Sequence, residues 1–323
     1  MNSLENKNVL VTGGAGFIGS HLCDALLKES VNKLIVIDNL FTGKKRNLKE
    51  AIEHKNFHFI IGDVTNFKSL GDVVTEYGID IIFNFSVVPL PVSLNQPDFC
   101  NEQNVIMTQN VCEVIRRSKK IITLIHCSSS EVYGTARYTP MDEMHPIFAH
   151  TPYAASKAAT DFLVYSYYKT FNIDMSIIRP FNNFGPRQNE ANYAGIIPLT
   201  IKRILKNEKP VIYGDGKQTR DYIYAKDTAK CAIDIYKNQN TRGEIINIGS
   251  GKQTEILELV KNICKAMNYK NEIAFQEERP GDVRVHQADV KKAEKLIDFK
   301  SKTSIEQEVN ETVKWYIENI ILE

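Results

Sequence analysis

The sequence predicts an α/β fold, a doubly wound parallel sheet joined to a smaller C-terminal α/β lobe, on three observations. Through the first 180 residues, short apolar runs alternate with longer amphipathic stretches, which is the pattern of βαβ units. A glycine-rich segment follows the first apolar run directly. After Pro180 the alternation ends, and turn sequences containing Gly and Pro separate shorter elements. A chain of 323 residues also exceeds what one hydrophobic core usually organises, so two lobes are expected.

Each element of the sheet is predicted from its own segment. The apolar runs predict strands at 9–12, 34–37, 58–61, 79–85, 121–127 and 175–178. The amphipathic stretches between them predict helices at 17–28, 69–77, 105–117 and 153–170. Residues 222–236 predict one more helix and 245–248 one more strand, both returning to the sheet. The first domain is therefore expected to hold residues 1–180 and 222–248, and the second 181–221 and 249–323.

Composition excludes several classes of protein. Lys and Arg total 40 against 39 Asp and Glu, so a net charge of +1 provides no bulk field for nucleic acid or an anionic membrane. The first dozen residues lack a signal peptide, and no apolar run approaches the about 18 residues of a membrane span. A cytoplasmic location is expected. Six scattered cysteines, with no C-x-x-C pair and no nearby histidine cluster, predict reduced thiols and no metal site.

The glycine segment carries a binding prediction. The letters TGGAGFIG, from Thr12 to Gly19, lie between a predicted strand and an amphipathic helix and satisfy G-x-G-x-x-G from Gly14 onward. Glycines at this point let backbone N–H groups approach a pyrophosphate at the helix N-terminus. The string is weak evidence alone, but its position between strand and helix predicts a dinucleotide-binding Rossmann sheet.

Asp38 selects the dinucleotide. It ends the second predicted strand 19 residues after Gly19, close to the roughly 20-residue offset at which a carboxylate meets the adenine ribose. A carboxylate there repels a 2′-phosphate, so NAD is favoured over NADP. The alternative is an aspartate that only caps a loop. The cations Lys44, Lys45 and Arg46 could accept a phosphate and keep NADP open as a minority interpretation.

A tyrosine and a lysine one helical turn apart form the candidate proton-transfer pair, Tyr153 and Lys157. A tyrosine becomes a base near neutral pH only if neighbouring positive charge lowers its pKa, and a lysine four residues on can supply that charge. The spacing is common, and three other pairs match it: Tyr165/Lys169, Tyr213/Lys217 and Tyr222/Lys226. Tyr153 stands out because its helix follows the strand that ends in three serines, at the edge where open α/β sheets bind ligands.

With these motifs together, the whole chain resembles the extended short-chain dehydrogenase/reductases that act as nucleotide-sugar epimerases, dehydratases and decarboxylases. The resemblance implies a catalytic set of Ser129, Tyr153 and Lys157. The residues that it assigns to the cofactor NAD are Gly13, Gly16, Phe17, Ile18, Gly19, Asp38, Asn39, Asp63, Val64, Ser86, Val88, Ser128, Tyr153 and Lys157. One departure is the segment NFSV at 84–87, where the family usually has HLAA, although Ser86 can still approach the cofactor.

The resemblance extends to the second, substrate-binding lobe. It implies that a nucleotide sugar contacts Asn182, Arg187, Tyr213, Arg220, Arg279 and Asp282. Two guanidiniums, those of Arg220 and Arg279, can clamp a diphosphate bidentately. Without the resemblance, solvation is the simpler interpretation of either arginine. The helices at 105–117 and 153–170 resemble those that pair into a four-helix bundle in this family, so a homodimer is expected.

The residues after Ser129 bear on the reaction. Simple 4-epimerases usually lack an acid at the position of Glu131, whereas 4,6-dehydratases have Thr-Asp-Glu where this chain has Ser129-Ser130-Glu131. The base for C5 is thus present, while Ser130 is a poor proton donor. We expect C5/C6 chemistry on a UDP-N-acetylhexosamine-type substrate, as in a dehydratase or a 5,6-ene isomerase.

Four alternatives stay open at this point. The enzyme alternatives are a UDP-sugar 4-epimerase and a UDP-glucuronate decarboxylase. Glu131 could instead have a structural role and pair with a cation such as Arg137. An inert NAD-binding regulatory protein is a further alternative, but such relatives typically lose the tyrosine or the lysine, and both remain here.

Overall fold

The computed structural model describes residues 2–190, 195–278, 281–302 and 304–319. The strands of these residues are β1 (Asn8–Thr12), β2 (Lys33–Asp38), β3 (Phe57–Ile61), β4 (Ile81–Asn84), β5 (Thr123–Cys127), β6 (Met175–Pro180), β7 (Asn182–Phe184), β8 (Val211–Tyr213), β9 (Thr219–Arg220), β10 (Tyr222–Tyr224), β11 (Ile245–Ile248), β12 (Thr254–Glu255) and β13 (Ala274–Gln276). Seven of them form a central sheet, in which all neighbours are parallel, in the order β3-β2-β1-β4-β5-β6-β11.

The helices of the described residues are α1 (Phe17–Leu27), α2 (Lys49–Ile52), α3 (Phe67–Glu76), α4 (Leu90–Ser93), α5 (Pro97–Arg117), α6 (Pro152–Phe171), α7 (Ile196–Leu205), α8 (Ala225–Lys237), α9 (Ile256–Ala266), α10 (Lys291–Ile297) and α11 (Ile305–Asn319). Some of these helices cover both faces of the central sheet. The core on one face contains residues of α1, α8 and α10, and the core on the other contains residues of α3, α5 and α6.

Strand β1 explains why the sheet sequences are continuously apolar. Its Val9 and Val11 lie in one core, while Leu10 between them lies in the other, so every residue of the run is buried. This is the expected pattern of a parallel sheet covered on both faces. The strand order reverses beside β1, between β2 and β4, and the carboxyl ends there form the crevice where doubly wound folds bind ligands. The predicted fold class is confirmed.

The second lobe has a separate core of α7, α9 and α11 with Phe184, Tyr222 and Tyr224. Its strands are only two or three residues long and form three small two-stranded sheets. Short elements of this kind leave little periodicity in the sequence, which is why only turns were predicted there.

Three predicted boundaries differ from the structure. The helix expected at 222–236 begins only at Ala225, because residues 222–224 form strand β10 and pair with β7. Tyr222 and Tyr224 face the core of the second lobe while Ile223 packs in the core of the first. Ala293 and Phe299, from the range expected for the second lobe, pack in the core of the first domain instead. The helix expected at 105–117 begins earlier, at Pro97.

Within the described ranges, no helix is long and apolar enough to cross a membrane. The same residues contain no group of three or more His, Cys, Asp or Glu side chains placed to hold a metal ion.

Candidate active site

The glycine loop packs main chain against main chain. Gly13 has a φ of +70°, and a Cβ on it would lie 2.8 Å from the carbonyl group of Phe85 and the nitrogen of Ser86. A Cβ on Gly19 would lie 2.3 Å from the carbonyl oxygen of Gly13. Helix α1 begins at Phe17, directly after this loop. The N-terminus of a helix favours a bound pyrophosphate, and only glycine permits this approach of the loop.

Asp38 lies at the carboxyl end of β2. Its carboxylate accepts hydrogen bonds from the backbone N–H groups of Ala15 at 2.9 Å and Leu40 at 2.8 Å. Burial raises the pKa of Asp38, and these hydrogen bonds oppose that rise. The group is therefore fixed against the glycine loop, at the position where a carboxylate meets the adenine ribose of a dinucleotide.

Asp63 and Asn39 form the neighbouring wall. The side chain of Asn39 donates to Asp63 at 3.0 Å, and Thr65 donates to the other carboxylate oxygen from its backbone at 2.8 Å. Partial burial opposes ionisation, but the hydrogen bonds hold the pKa of Asp63 below its usual range. This carboxylate is thus charged and fixed by its neighbours.

A cavity of about 490 Å³ runs along the carboxyl ends of the strands. It is lined by all the residues that the sequence assigns to the cofactor: Gly13, Gly16, Phe17, Ile18, Gly19, Asp38, Asn39, Asp63, Val64, Ser86, Val88, Ser128, Tyr153 and Lys157. The lining extends from Asp38 past the glycine loop to Tyr153, and a bound dinucleotide would contact each of these parts.

The departure at Asn84 also has a structural explanation. Its side chain accepts a hydrogen bond from the hydroxyl of Thr12 at 2.7 Å and lies 3.1 Å from Nδ1 of His126. These three residues lie on adjacent strands β1, β4 and β5 and are buried. The asparagine is therefore fully used inside the sheet, and Ser86 beyond it still lines the cavity.

Tyr153 and Lys157 occupy the first two turns of α6. Thr151 caps this helix by accepting from the N–H of Ala154, and Pro152 starts it. The Lys157 ammonium donates to the carbonyl oxygen of Cys127 at 2.6 Å, at the end of β5. Ser129 lies beside Tyr153 and lowers the pKa of its phenol. The three residues predicted as the catalytic set therefore lie together at the far end of the cavity.

The electrostatics of Tyr153 differ from the expectation. Burial raises the pKa of the phenol, and the neighbouring Ser129 opposes that rise. Burial also lowers the pKa of Lys157. The protein alone thus leaves the phenol protonated near neutral pH, because desolvation disfavours both charged forms.

A buried ion pair behind Lys157 was missed by sequence reasoning. Asp161, one turn further along α6, accepts from Nε of Arg179 on β6 at 2.8 Å. Arg179 also donates to the hydroxyl of Tyr133 at 2.9 Å, and Tyr133 donates to Asn247 on β11 at 2.8 Å. The signal was an arginine and a tyrosine inside apolar segments. The network connects α6 to the sheet and so fixes the position of the helix that carries Tyr153 and Lys157.

A second, smaller cavity of about 230 Å³ adjoins the first on the side of the second lobe. Its lining includes Tyr213, Arg220 and Asp282, three of the predicted substrate residues, and also Gln218, which sequence reasoning missed. Arg220 forms an ion pair with Asp282. Gln218 is buried, and its Nε2 donates to the carbonyl oxygen of Tyr213 at 2.7 Å.

Three residues line both cavities and therefore mark their junction: Leu90, Glu131 and Asn182. The Nδ2 of Asn182 is buried and has no hydrogen-bond partner among the described residues, so it is available to a ligand. Burial raises the pKa of Glu131, while Arg220 opposes that rise. Ser130 lines the larger cavity.

The alternative in which Glu131 pairs with Arg137 is not borne out. Arg137 lies over the ring of Phe148 instead, 4.7 Å from its centroid. No described residue forms an ion pair with Glu131, and the paired partner of Arg220 is Asp282.

Two predicted substrate residues do not lie in the smaller cavity of the described structure. Arg187 lines the larger cavity, and its guanidinium pairs with Asp24 of α1 at 2.6 Å. Arg279 lies outside the described residues.

This fold and this site define an extended short-chain dehydrogenase/reductase that uses NAD and acts on nucleotide sugars. A family model described as GDP-mannose 4,6 dehydratase matches residues 10–312, and the chain belongs to this family of nucleotide-sugar epimerases and dehydratases. The glycine cradle and the carboxylate at the end of β2 fit the NAD on which the family depends.

Known proteins similar to the chain span more than one reaction. A putative UDP-glucose 4-epimerase of Methanocaldococcus jannaschii is 33% identical and is matched over 96% of this chain and 99% of that protein. The structure of a UDP-N-acetylglucosamine 4-epimerase from Methanobrevibacter ruminantium M1, in complex with UDP-N-acetylmuramic acid, is 35% identical with a TM-score of 0.89, covering 97% and 99% of the two chains. A dTDP-glucose 4,6-dehydratase from Bacillus anthracis, solved with NAD, is 31% identical with a TM-score of 0.87, covering 97% of each chain.

Proposed function

We propose that the protein oxidises C4 of the sugar in a UDP-N-acetylhexosamine-type substrate and then moves a proton at C5 through Glu131, as in a dehydratase or a 5,6-ene isomerase. One observation carries this proposal: Glu131 lies at the junction of the two cavities, beside Ser129 and free of any ion pair with a described residue. A carboxylate that only stabilised the fold would be expected to form an ion pair or to accept hydrogen bonds from neighbouring side chains.

The first step uses the cluster at the start of α6. Ser129 and Tyr153 lie side by side and together can hold the C4 hydroxyl, whose proton passes to the Tyr153 oxygen. NAD held by the residues of the larger cavity would supply the hydride acceptor and a positive charge. Because the protein alone leaves Tyr153 protonated, we expect the tyrosine to act as a base only in the loaded enzyme.

The second step uses Glu131. A ketone at C4 acidifies the C5 hydrogen, so a carboxylate can remove that proton and leave an enol. Burial raises the pKa of Glu131 and makes it a stronger base than an exposed glutamate, and the same carboxyl can return the proton. Ser130 can orient a water but is too weak an acid to protonate a departing C6 hydroxyl. Expulsion of the C6 hydroxyl therefore needs water as the proton donor. A substrate that is already unsaturated between C5 and C6 has no C5 hydrogen to remove and no hydroxyl to expel, and on it Glu131 would deliver a proton to C5 as hydride is added at C6.

The smaller cavity would hold the nucleotide diphosphate. Arg220 supplies a guanidinium, Tyr213 an aromatic ring and Asn182 a free amide, and these suit a diphosphate, a base and a sugar hydroxyl respectively. The hexosamine and the UDP rest on the similarity to the epimerase of Methanobrevibacter ruminantium M1, whose structure contains UDP-N-acetylmuramic acid.

We also propose a homodimer through α5 and α6. The outer face of α6 exposes Ala155, Ala159 and Phe162 at helical spacing, and the Phe162 side chain is 62% exposed. Two small residues beside a large aromatic one suit close packing against a second helix pair. Sedimentation at micromolar concentration tests this directly, and a mass of 36.7 kDa would contradict it.

A 4-epimerase is the second candidate, since two of the similar proteins carry that name. An epimerase returns the hydride to C4 and does not exchange the proton at C5. Incubation of the wild type in deuterium oxide with UDP-N-acetylglucosamine, UDP-glucose and UDP-glucuronate, followed by NMR of the products, separates the two. Deuterium at C5 supports our proposal, while a C4 epimer without deuterium supports the alternative. Loss of carbon dioxide from UDP-glucuronate would identify a decarboxylase and also overturn our proposal.

The variant Glu131→Gln tests the residue itself. It keeps the shape of the side chain but removes its capacity for proton transfer, so we expect the C5 step to slow by on the order of 10²–10⁴-fold. Oxidation at C4 should survive, and a 4-keto sugar should accumulate on the enzyme in quenched reactions. Glu143→Gln, a second partly buried glutamate, is the control and should turn over normally. Unchanged deuterium exchange at C5 in Glu131→Gln would remove Glu131 from the mechanism.

A further inference from the structure

We propose that Glu190 is a latch residue that sets the cofactor preference. Its carboxylate fastens the second lobe to the loop after β2, and it withholds Lys44 and Arg46 from a 2′-phosphate on the adenine ribose. The same contact joins the segment of Arg187 and Gln188 to the loop of Gly43, both of which line the larger cavity, and so slows the release of NAD. This proposal concerns the cofactor alone and does not depend on which reaction follows at C5.

The two cations lie on the loop that packs against Asp38 and the glycine loop. Gly43 comes so close to Asp38 that a Cβ on it would lie 2.7 Å from a carboxylate oxygen. Lys44 follows Gly43 directly, and its N–H donates to the carbonyl oxygen of Ala15 in the glycine loop at 2.9 Å. Arg46 is two residues further along the same loop. A lysine or arginine on this loop that had no carboxylate partner would attract a phosphate on the adenine ribose.

Glu190 occupies both of them. Nζ of Lys44 and Nη2 of Arg46 each bond to Oε1 of Glu190. The Glu190 side chain is only 10% exposed, whereas those of Lys44 and Arg46 are 31% and 34% exposed. Burial opposes ionisation of this carboxyl, yet Lys44 and Arg46 hold its pKa below the usual range, so it is charged throughout the neutral range.

The segment that carries Glu190 is fastened at several points. Arg187 pairs with Asp24 at 2.6 Å, and Nε2 of His21 lies 2.9 Å from the carbonyl oxygen of Pro186. The hydroxyl of Tyr316 on α11 donates to the carbonyl oxygen of Gln188. Because Arg187 and Gln188 also line the larger cavity, this segment is a wall of the cofactor site. Glu190 ends that wall on the loop beside the adenine ribose.

Glu190 lowers the net positive charge of the loop. Lys44, Lys45 and Arg46 carry three positive charges, and Asp38 and Glu190 carry two negative charges, so the five side chains together have a net charge of +1. Removal of the Glu190 charge raises this to +2 and takes from Lys44 and Arg46 the carboxylate that they share. A 2′-phosphate carries about −1.5 to −2 charges near neutral pH, so its binding should improve much more than that of a ribose hydroxyl.

The experiment measures binding of NAD and NADP to full-length, nucleotide-stripped protein by calorimetry, and the release of bound NAD by stopped flow. In Glu190→Gln we expect the affinity for NADP relative to NAD to rise by about tenfold or more and NAD release to accelerate several-fold. Glu113→Gln is the matched control, because Glu113 also holds two cations, Arg116 and Arg117, on the surface of α5. It should change neither quantity.

A double variant separates the two parts of the proposal. Lys44→Gln with Arg46→Gln also breaks the latch but removes both cations that Glu190 holds, so NAD release should accelerate without any gain for NADP. An unchanged NADP-to-NAD ratio in Glu190→Gln would overturn the assignment of specificity. A gain for NADP that persists when Glu190→Gln is combined with the double variant would overturn the role of Lys44 and Arg46. Unaltered NAD release in both variants would overturn the latch.

Discussion

The larger and the smaller cavity are built from different parts of the chain. The cofactor side is formed largely by main chain: glycines packed against backbone, N–H groups on Asp38, and the Cys127 carbonyl that holds Lys157. The substrate side is formed by side chains on strands of two or three residues, such as Tyr213 on β8 and Arg220 on β9. Main-chain sites tolerate little change, whereas side chains on short strands can change without disturbing the sheet. This difference explains how one family keeps NAD while its members act on different sugars.

Tyr153→Phe should give the largest effect, because it removes the proton-accepting hydroxyl without altering the shape of either cavity. Only the proton acceptor is lost, so C4 oxidation should fall by on the order of 10⁴-fold while bound NAD is retained. Single-turnover assays of the oxidised sugar and extraction of the nucleotide measure the two quantities. Tyr165→Phe on the same helix is the control, since this side chain is 39% exposed and lines neither cavity. Equal losses at both positions would mean that the wrong tyrosine was chosen.

Gly13→Ala tests whether the cofactor side depends on main chain. The new Cβ would lie 2.8 Å from backbone atoms of Phe85 and Ser86 in a conformation with φ +70°, so the loop must shift. We expect NAD affinity to fall by about 100-fold, with a loss of about 1–3 kcal/mol in stability from backbone strain. Calorimetry and thermal unfolding measure both.

Gly71→Ala is the matched control. Gly71 lies within α3, and a Cβ there meets only a Val114 methyl at 4.0 Å. Alanine should stabilise this helix by about 0.5–1 kcal/mol and leave NAD binding unchanged. If both variants bind NAD normally, the cofactor wall is more plastic than its close backbone contacts imply.

The same contrast explains what the sequence predicts. The strands around residues 9–12 and 34–37 were predicted because burial on both faces makes them continuously apolar, and Gly19 and Asp38 follow at fixed local spacing. The structure confirms this part. Strand β10 was missed because its tyrosines face one core and Ile223 another, a pattern that also fits a helix.

Long-range pairs could not be predicted from local pattern. Glu190 lies 146 residues from Lys44, and Asp161 pairs with Arg179 across the boundary between a helix and a strand. Nothing in the neighbouring sequence indicates either partner. The ion pair of Arg187 is a further example. The resemblance assigns Arg187 to the substrate, and the local sequence does not indicate that its guanidinium also pairs with Asp24 beside the larger cavity. The start of α5 at Pro97 was missed because its first residues are polar, although buried Asn104 there donates to the Val88 carbonyl oxygen at 3.2 Å.

Arg220 should give the smallest effect and sharpens the comparison on the substrate side. In Arg220→Lys the charge remains but bidentate contact with a diphosphate is lost, so KM should rise by about tenfold with NAD binding unchanged. In Arg220→Gln the charge is lost as well. Arg220 lowers the pKa of Glu131, so its removal should raise that pKa further and move the acid limb of the rate profile to higher pH, because the C5 step needs the ionised carboxylate. Arg284→Gln, which breaks an exposed pair with Asp215, should change neither quantity. If Arg220→Gln raises KM but leaves the acid limb in place, Arg220 binds the substrate without acting on Glu131. If Arg220→Lys and Arg220→Gln shift the limb equally, the geometry of the guanidinium, rather than its charge, controls the base.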